Sequence, residues 1–155
     1  LDERGHFDFE GLLEDFCAFW RAHAETYLAG APYSEAAAQL VFMAFLQKIT
    51  NGQGHGAVDR EYAAGRGRVD LCVRWPRPEG GFDHHAVELK VWRDNTTGDP
   101  VAEGLDQLAG YLERLGLDSG TLIVFDSRSH AEPLPRRMAR AEIEHDGRKI
   151  IVRKL

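Results

Sequence analysis

Long apolar runs are missing from this sequence: no stretch reaches the roughly 18 residues a membrane span needs, and no N-terminal leader pattern is present. Cysteine is scarce, with two in 155 residues. Cys17 and Cys72 are far apart and lack metal-ligand spacing. They read as small buried hydrophobes in a reducing compartment, without a disulfide. The seven histidines contain no H-x-x-x-H pair. Adjacent His84 and His85 would point to opposite faces of a strand, so no zinc site is expected. No G-x-x-x-x-G-K-[ST] loop occurs, which leaves any ATP chemistry to another part of a parent protein. Ser127 and Ser129 beside His130 do not form a hydrolase elbow. An excess of basic residues is also lacking. The net charge of -6 argues weakly against a nucleic-acid partner. The chain starts at Leu1 rather than Met, which reads as a piece of a longer or processed protein. These absences leave a soluble, cytoplasmic domain without a membrane partner.

What is present fits one domain with a real core, at 43% hydrophobic and 28% charged residues. The charge is uneven. Residues 1–50 hold 8 acids and 3 bases, whereas residues 51–155 hold 17 and 16. The later bases cluster as Arg66/Arg68, Arg136/Arg137/Arg140 and Arg148/Lys149/Arg153/Lys154. Such clusters are compatible with a phosphate-backbone partner, although solvated surface is the commoner reason for them.

Residues 7–28 carry Phe9, Leu12, Leu13, Phe16, Phe19 and Trp20 at helical spacing, ended by Gly30-Ala31-Pro32. A second helix, about 35–50 after an N-cap at Ser34, is apolar on most sides. It should be well buried, with Gln39, Gln47 and Lys48 as its polar edge. Asn51 to Gly54 then signals a loop. From residue 57 the period changes to two. Strands are expected at 58–63, 67–75 and 84–92, followed by a helix at 101–115 with Leu105, Leu108, Leu112 and Leu115 on one face. An apolar strand follows at 121–125, then an irregular basic segment at 127–138. A hairpin closes the chain across Asp146-Gly147. The order α-α-β-β-β-α-β, then β-β, predicts one α/β domain with a mixed central sheet flanked by helices.

A register count singles out two carboxylates. If strands 67–75 and 84–92 pair as an antiparallel hairpin centred on residue 79, Asp70 lies opposite Glu88. Directly opposed side chains share a face, with Cβ atoms about 4.5–5.5 Å apart. Like charges there repel unless a cation sits between them, and Mg²⁺ takes one or two carboxylates plus waters and phosphate oxygens. Lys90 falls on the same face about 6.7 Å along. It could orient or help deprotonate a water, or offset charge growing on a phosphate. An E-x-K also arises simply because Val87, Leu89 and Val91 face a core. The opposed Asp70 counts against that plainer reading. Glu61 could lie near this site, although surface is the commoner reason for an acid on an amphipathic strand, and Gly65-Arg66-Gly67 reads as a tight turn.

Gly67-Arg68-Val69-Asp70-Leu71, then Val87-Glu88-Leu89-Lys90, then Gln107-x-x-x-Tyr111 resembles the PD-(D/E)XK nuclease superfamily. Tyr33-Ser34-Glu35, Ala44 to Gln47, Arg60-Glu61-Tyr62 and Leu122 to Asp126 look more specifically like nuclease-like domains at the C-terminus of certain bacterial AAA-type ATPases. The resemblance covers about residues 33–126. It implies a restriction-endonuclease-like core at 33–126 with two N-terminal helices. Residues 1–32 would then be a helical extension and 127–155 a C-terminal loop and hairpin. The implied activity is hydrolysis of DNA phosphodiesters by metal-activated water, with Mg²⁺ as cofactor and Mn²⁺ as substitute. Asp70 and Glu88 would bind the metal, with the Leu89 carbonyl and Glu35 as further ligands, and Lys90 would be the catalytic lysine. Gln107 and Tyr111, at i and i+4 on one helical face, would contact metal-bound water or DNA phosphate. Arg66 and Arg68 join them as candidate nucleic-acid contacts. The alternatives are a non-catalytic DNA- or protein-binding module on the same fold, and an oligomerisation domain using the Phe/Trp-rich first helix. An ATPase domain of the parent chain is a further expected partner.

Overall fold

Alternating side chains on one sheet must find cover on both faces, and here two sets of helices supply it. The computed structural model describes residues 1–27, 35–53, 56–63 and 68–155, with side chains described except at 25–27, 35–36, 52–53, 61–63 and 68–70. The elements are α1 (Phe9–Tyr27), α2 (Glu35–Gln53), β1 (Ala57–Ala63), β2 (Arg68–Pro76), β3 (Phe82–Trp92), α3 (Pro100–Leu115), β4 (Ser119–Asp126), α4 (Leu134–Arg137), β5 (Ala139–His145) and β6 (Arg148–Lys154). Six strands form one sheet in the order β1-β2-β3-β4-β6-β5. β3, β4 and β6 run parallel, and β1/β2, β2/β3 and β5/β6 pair antiparallel. The domain is thus α/β with a mixed sheet flanked by helices.

On one face Leu71, Val73, Val87, Leu89, Ile123 and Phe125 pack under α1 and α2, against Leu13, Phe16, Trp20, Phe42 and Leu46. α1 packs into this hydrophobic core: the Trp20 and Phe125 rings meet edge-on at 4.8 Å. The other face carries Cys72, Ala86, Leu122, Val124, Ile150 and Val152 beneath Leu105, Leu108 and Leu112 of α3. β3 is consequently buried on both sides from Ala86 to Leu89, as interior strands of parallel sheets are. The two cysteines are free and buried. They sit in the cores on opposite faces of the sheet, which separates them.

Local signals place the boundaries of α3. Asp99 caps its start by accepting from Val101 N–H at 2.9 Å, Pro100 opens it, and Gly116 ends it at φ 67. Leu115, expected on its apolar face, is 41% exposed, because it lies in the last turn. The β5–β6 turn takes positive φ at Asp146 and Gly147, 49° and 72°, which the primed turn of a two-residue hairpin requires.

Three local expectations are corrected. α2 continues through Asn51-Gly52-Gln53, since one glycine costs a helix only about 1 kcal/mol and packing overrides it. Its faces are also rotated from the expected ones. Gln39 is 7% exposed and Leu40 63%, because Ala38, Phe42, Met43, Leu46 and Thr50 turn inward. A helix apolar nearly all round does not mark its buried side. Finally, segment 127–138 contains the single turn α4, whose Leu134 is 1% exposed. Ser34, Gly30 to Pro32 and Gly65 to Gly67 lie outside the described residues.

α3 rides close to the sheet at Gly104, where an added Cβ would meet Leu122 Cδ1 at 2.6 Å. Leu122 is fully buried, so displacing it disturbs the packing around it. Gly104→Ala should gain about 1 kcal/mol of helix propensity yet lose roughly 1–3 kcal/mol to overpacking. The net expectation is destabilisation, read as a lower urea midpoint; an unchanged or higher midpoint would show that α3 can shift.

His85 stacks on Phe9 at 4.6 Å, with Phe7 edge-on at 5.9 Å. Its Nε2 is buried without a hydrogen-bond partner among the described residues. Burial holds this imidazole below the ordinary 6.5. The unfolded chain therefore binds the proton first as pH falls below 6.5, and the stability that neutral His85 contributes is lost on acidification. The Tm advantage of wild type over His85→Phe should shrink between about pH 7.5 and about pH 5. A pH-independent difference would show that His85 does not couple folding to protonation.

Candidate active site

The β2–β3 hairpin turns through residues 77–81, where Arg77 N–H bonds to Gly81 O at 3.0 Å and Gly80 and Gly81 both take positive φ. Pro76 pairs with Phe82, and at the seventh pair of the ladder Asp70 stands opposite Glu88. The register count from the sequence therefore holds. The same row extends to β1, where Glu61 pairs with Asp70. On the far side it continues to Leu122 and then Val152. Three acidic positions thus lie side by side across β1, β2 and β3, an arrangement that an ordinary sheet disfavours. Of the two readings of Glu61, near the site or plain surface, its backbone position in this row favours the first. The side chains of Glu61 and Asp70 lie outside the described residues, as do those of Glu35, the first residue of α2, and Arg68. Arg66 lies outside them entirely.

Glu88 and Lys90 share the sheet face covered by α3. Glu88 is 0% exposed and both its carboxylate oxygens are buried. Alternation marked Val87, Leu89 and Val91 as facing a core; Glu88 is buried as well, because α3 covers the other face of the sheet. Lys90 Nζ lies 4.0 Å from Glu88 Oε1 and 3.2 Å from Glu103 Oε1. Gln107 Nε2 donates to that same Glu103 oxygen at 2.8 Å. A chain of contacts therefore runs Glu88–Lys90–Glu103–Gln107 from the strand to the helix. Burying a carboxylate is costly without compensation, and the Lys90 ammonium is the described cation beside it.

Glu103 is the member that sequence reasoning missed. It stands four residues before Gln107, as Gln107 stands four before Tyr111, so a complete reading of the helical stripe could have found it. Tyr111 is drawn into the core below α3, 3% exposed, with Arg114 over its ring at 5.5 Å. The ring packs against the core below α3, and little of it is open to solvent. Leu89, between Glu88 and Lys90, packs its side chain into the opposite core.

The described basic clusters are largely engaged with acids. Arg153 donates to Glu14 at 2.6 Å and Glu10 at 3.1 Å while itself 6% exposed. Lys149 pairs with Glu142, Arg140 with Glu10 and Glu142, and Arg136 with Glu132. Arg153 thus joins β6 to α1 and leaves little surface for phosphate.

One group arises that no sequence spacing suggested. Asp106 on α3 meets His145 and Asp146 at the β5–β6 turn, with ligand atoms all within 4.8 Å. It is exposed, and the 2.7 Å contact from His145 Nε2 to Asp106 forms a hydrogen-bonded pair in its own right. A cleft of about 360 Å³, at the N-terminal ends of β3, β4 and β6, is lined by Phe7, Phe9, His85, Thr121 and Lys149 among others. It includes none of the candidate residues, which lie further along β3. Among the described residues no helix is long and apolar enough to cross a membrane. Compared with protein-family models and with curated protein sequences, the chain matches none.

Proposed function

We propose that this domain is a Mg²⁺-dependent deoxyribonuclease with a restriction-endonuclease-like fold, working as one part of a larger, ATPase-bearing protein. The observation that carries the reading is the fully buried Glu88, directly across the hairpin from Asp70 and 4.0 Å from Lys90. A hard oxygen-donor set suits Mg²⁺, and a buried carboxylate beside a second acidic position fits such an ion better than it fits a solvated surface. Asp70 and Glu88 would hold it, with the Leu89 carbonyl and Glu35 as further donors. Bound there, the ion supplies Lewis-acid stabilisation of the phosphate and acidifies an attacking water.

The residues of the chain do the rest. Lys90, 15% exposed, keeps its ammonium at the edge of the buried carboxylate, where it orients the nucleophile and offsets negative charge on the phosphoryl oxygens. Gln107 adds an amide one helical turn from Glu103. α3 closes over this face of the sheet and limits water around Glu88, which strengthens each electrostatic contact. A second reading, a protein-binding module on the same fold, draws on Leu40, 63% exposed on α2.

Supercoiled plasmid and linear DNA incubated with Mg²⁺ or Mn²⁺ test the proposal. Cutting that chelator stops, and that Asp70→Ala and Glu88→Ala both lack, supports it. No cutting with either metal leaves the binding module as the better reading.

A further inference from the structure

We infer that Glu103 is a positioning residue that sets both Lys90 and Gln107, an inference that rests on the nuclease reading of Lys90. One carboxylate oxygen, Glu103 Oε1, accepts from Lys90 Nζ at 3.2 Å and from Gln107 Nε2 at 2.8 Å. These two bonds join the reacting strand to this helix through one oxygen. A lysine stem turns about four bonds and wanders unless its head is held. Here the head is held between a buried carboxylate that cannot move and an exposed one on the first turn of α3. That turn is placed by the Asp99 cap and by the close approach of Gly104 to Leu122.

The same contact fixes the Gln107 amide. A carboxylate only accepts hydrogen bonds, so Gln107 must present its NH₂ group to Glu103. Its carbonyl oxygen is then the other end of the amide, which is the buried one. Glu103 itself lies outside the row of acidic positions, and its side chain is 56% exposed. It therefore acts through its two partners rather than on the phosphate.

The test combines kinetics with a readout that needs no activity. Glu103→Ala should fold as wild type, since the residue is exposed, and should lower kcat about 10-fold while KM for DNA stays within about twofold. Glu103→Gln keeps an acceptor oxygen at the same reach and should recover to within about threefold of wild type. In a Lys90→Met, Gln107→Ala background, Glu103→Ala should cost less than about twofold more, because its partners are already gone. In ¹⁵N spectra the Gln107 side-chain amide should be exchange-protected in wild type and lose protection in Glu103→Ala. Wild-type kcat in Glu103→Ala, a Glu103→Gln as slow as the alanine variant, or losses that multiply in the combined variant would each overturn the inference. If the wild-type protein cuts nothing, the nuclease reading fails, and the amide spectrum alone decides the bridge. An unchanged Gln107 amide in Glu103→Ala then overturns it.

Discussion

Glu88→Gln should remove divalent-metal binding and DNA cleavage together while raising the Tm of the metal-free protein. The two effects have one cause. Glu88 is 0% exposed, and the described cation beside it lies 4.0 Å away, at the limit of an ion pair. Removing a carboxylate from water carries a desolvation cost whatever its partners. An amide of the same shape relieves the charge and leaves Lys90 paired with Glu103. The gain should be about 1–2 kcal/mol by analogy with neutralised buried pairs, and each kcal/mol moves Tm by roughly 2–4 °C in a domain of this size. Calorimetry with Mn²⁺ should show binding to wild type and none to the variant, and Mn²⁺ should raise the Tm of wild type alone. A variant less stable than wild type would mean that Glu88 is well satisfied without metal and has a structural role. Retained Mn²⁺ binding would place the metal elsewhere, with Asp106, His145 and Asp146 the first group to examine.

Lys90→Met should lower the cleavage rate by about 10²-fold or more, the scale of losing one positioned electrostatic group. The interaction it removes is strongest in the transition state, when charge grows on the phosphoryl oxygens. DNA affinity should change far less, because many backbone contacts share it. The geometry adds a consequence for stability. Methionine leaves Glu88 buried without its neighbouring ammonium, so metal-free protein should lose about 1–3 kcal/mol. This is less than the 3–5 kcal/mol typical of breaking a buried pair, since the partners are far apart and Lys90 is partly solvated. Mn²⁺ should restore part of that loss, because it replaces the missing positive charge. Single-turnover cleavage, DNA binding in EDTA and urea melts with and without Mn²⁺ separate these effects. Cleavage at the wild-type rate would dismiss Lys90 from the chemistry even in a working nuclease.

Much of the architecture could be read directly. The alternation of Val87, Leu89 and Val91 with Ala86, Glu88 and Lys90 marked a strand, and Pro76 to Phe82 marked its turn. Counting from the turn put Asp70 opposite Glu88, because antiparallel register follows from where a hairpin closes. Leu105, Leu108 and Leu112 announced the inward side of α3, and Asp146-Gly147 the last hairpin. The buried side of α2 was not readable, since Ala, Leu, Val and Phe surround it and only the sheet chooses among them. Gln39 and Leu40 exchanged their expected environments for that reason.

The site divides along the same line. Periodicity and turn chemistry act over a few residues, so the amino-acid order by itself determined the strands, the hairpin register, the acid pair and the place of Lys90 beside it. Tertiary structure alone decided that α3 covers Glu88 completely, that Glu103 joins Lys90 to Gln107, and that Tyr111 turns inward. It also decided that Arg153, one of a basic cluster in the sequence, holds Glu14 from 139 residues away. Burial and ion pairing depend on which helix lies over which face, and no local spacing encodes a contact between surfaces that meet only once the chain has folded.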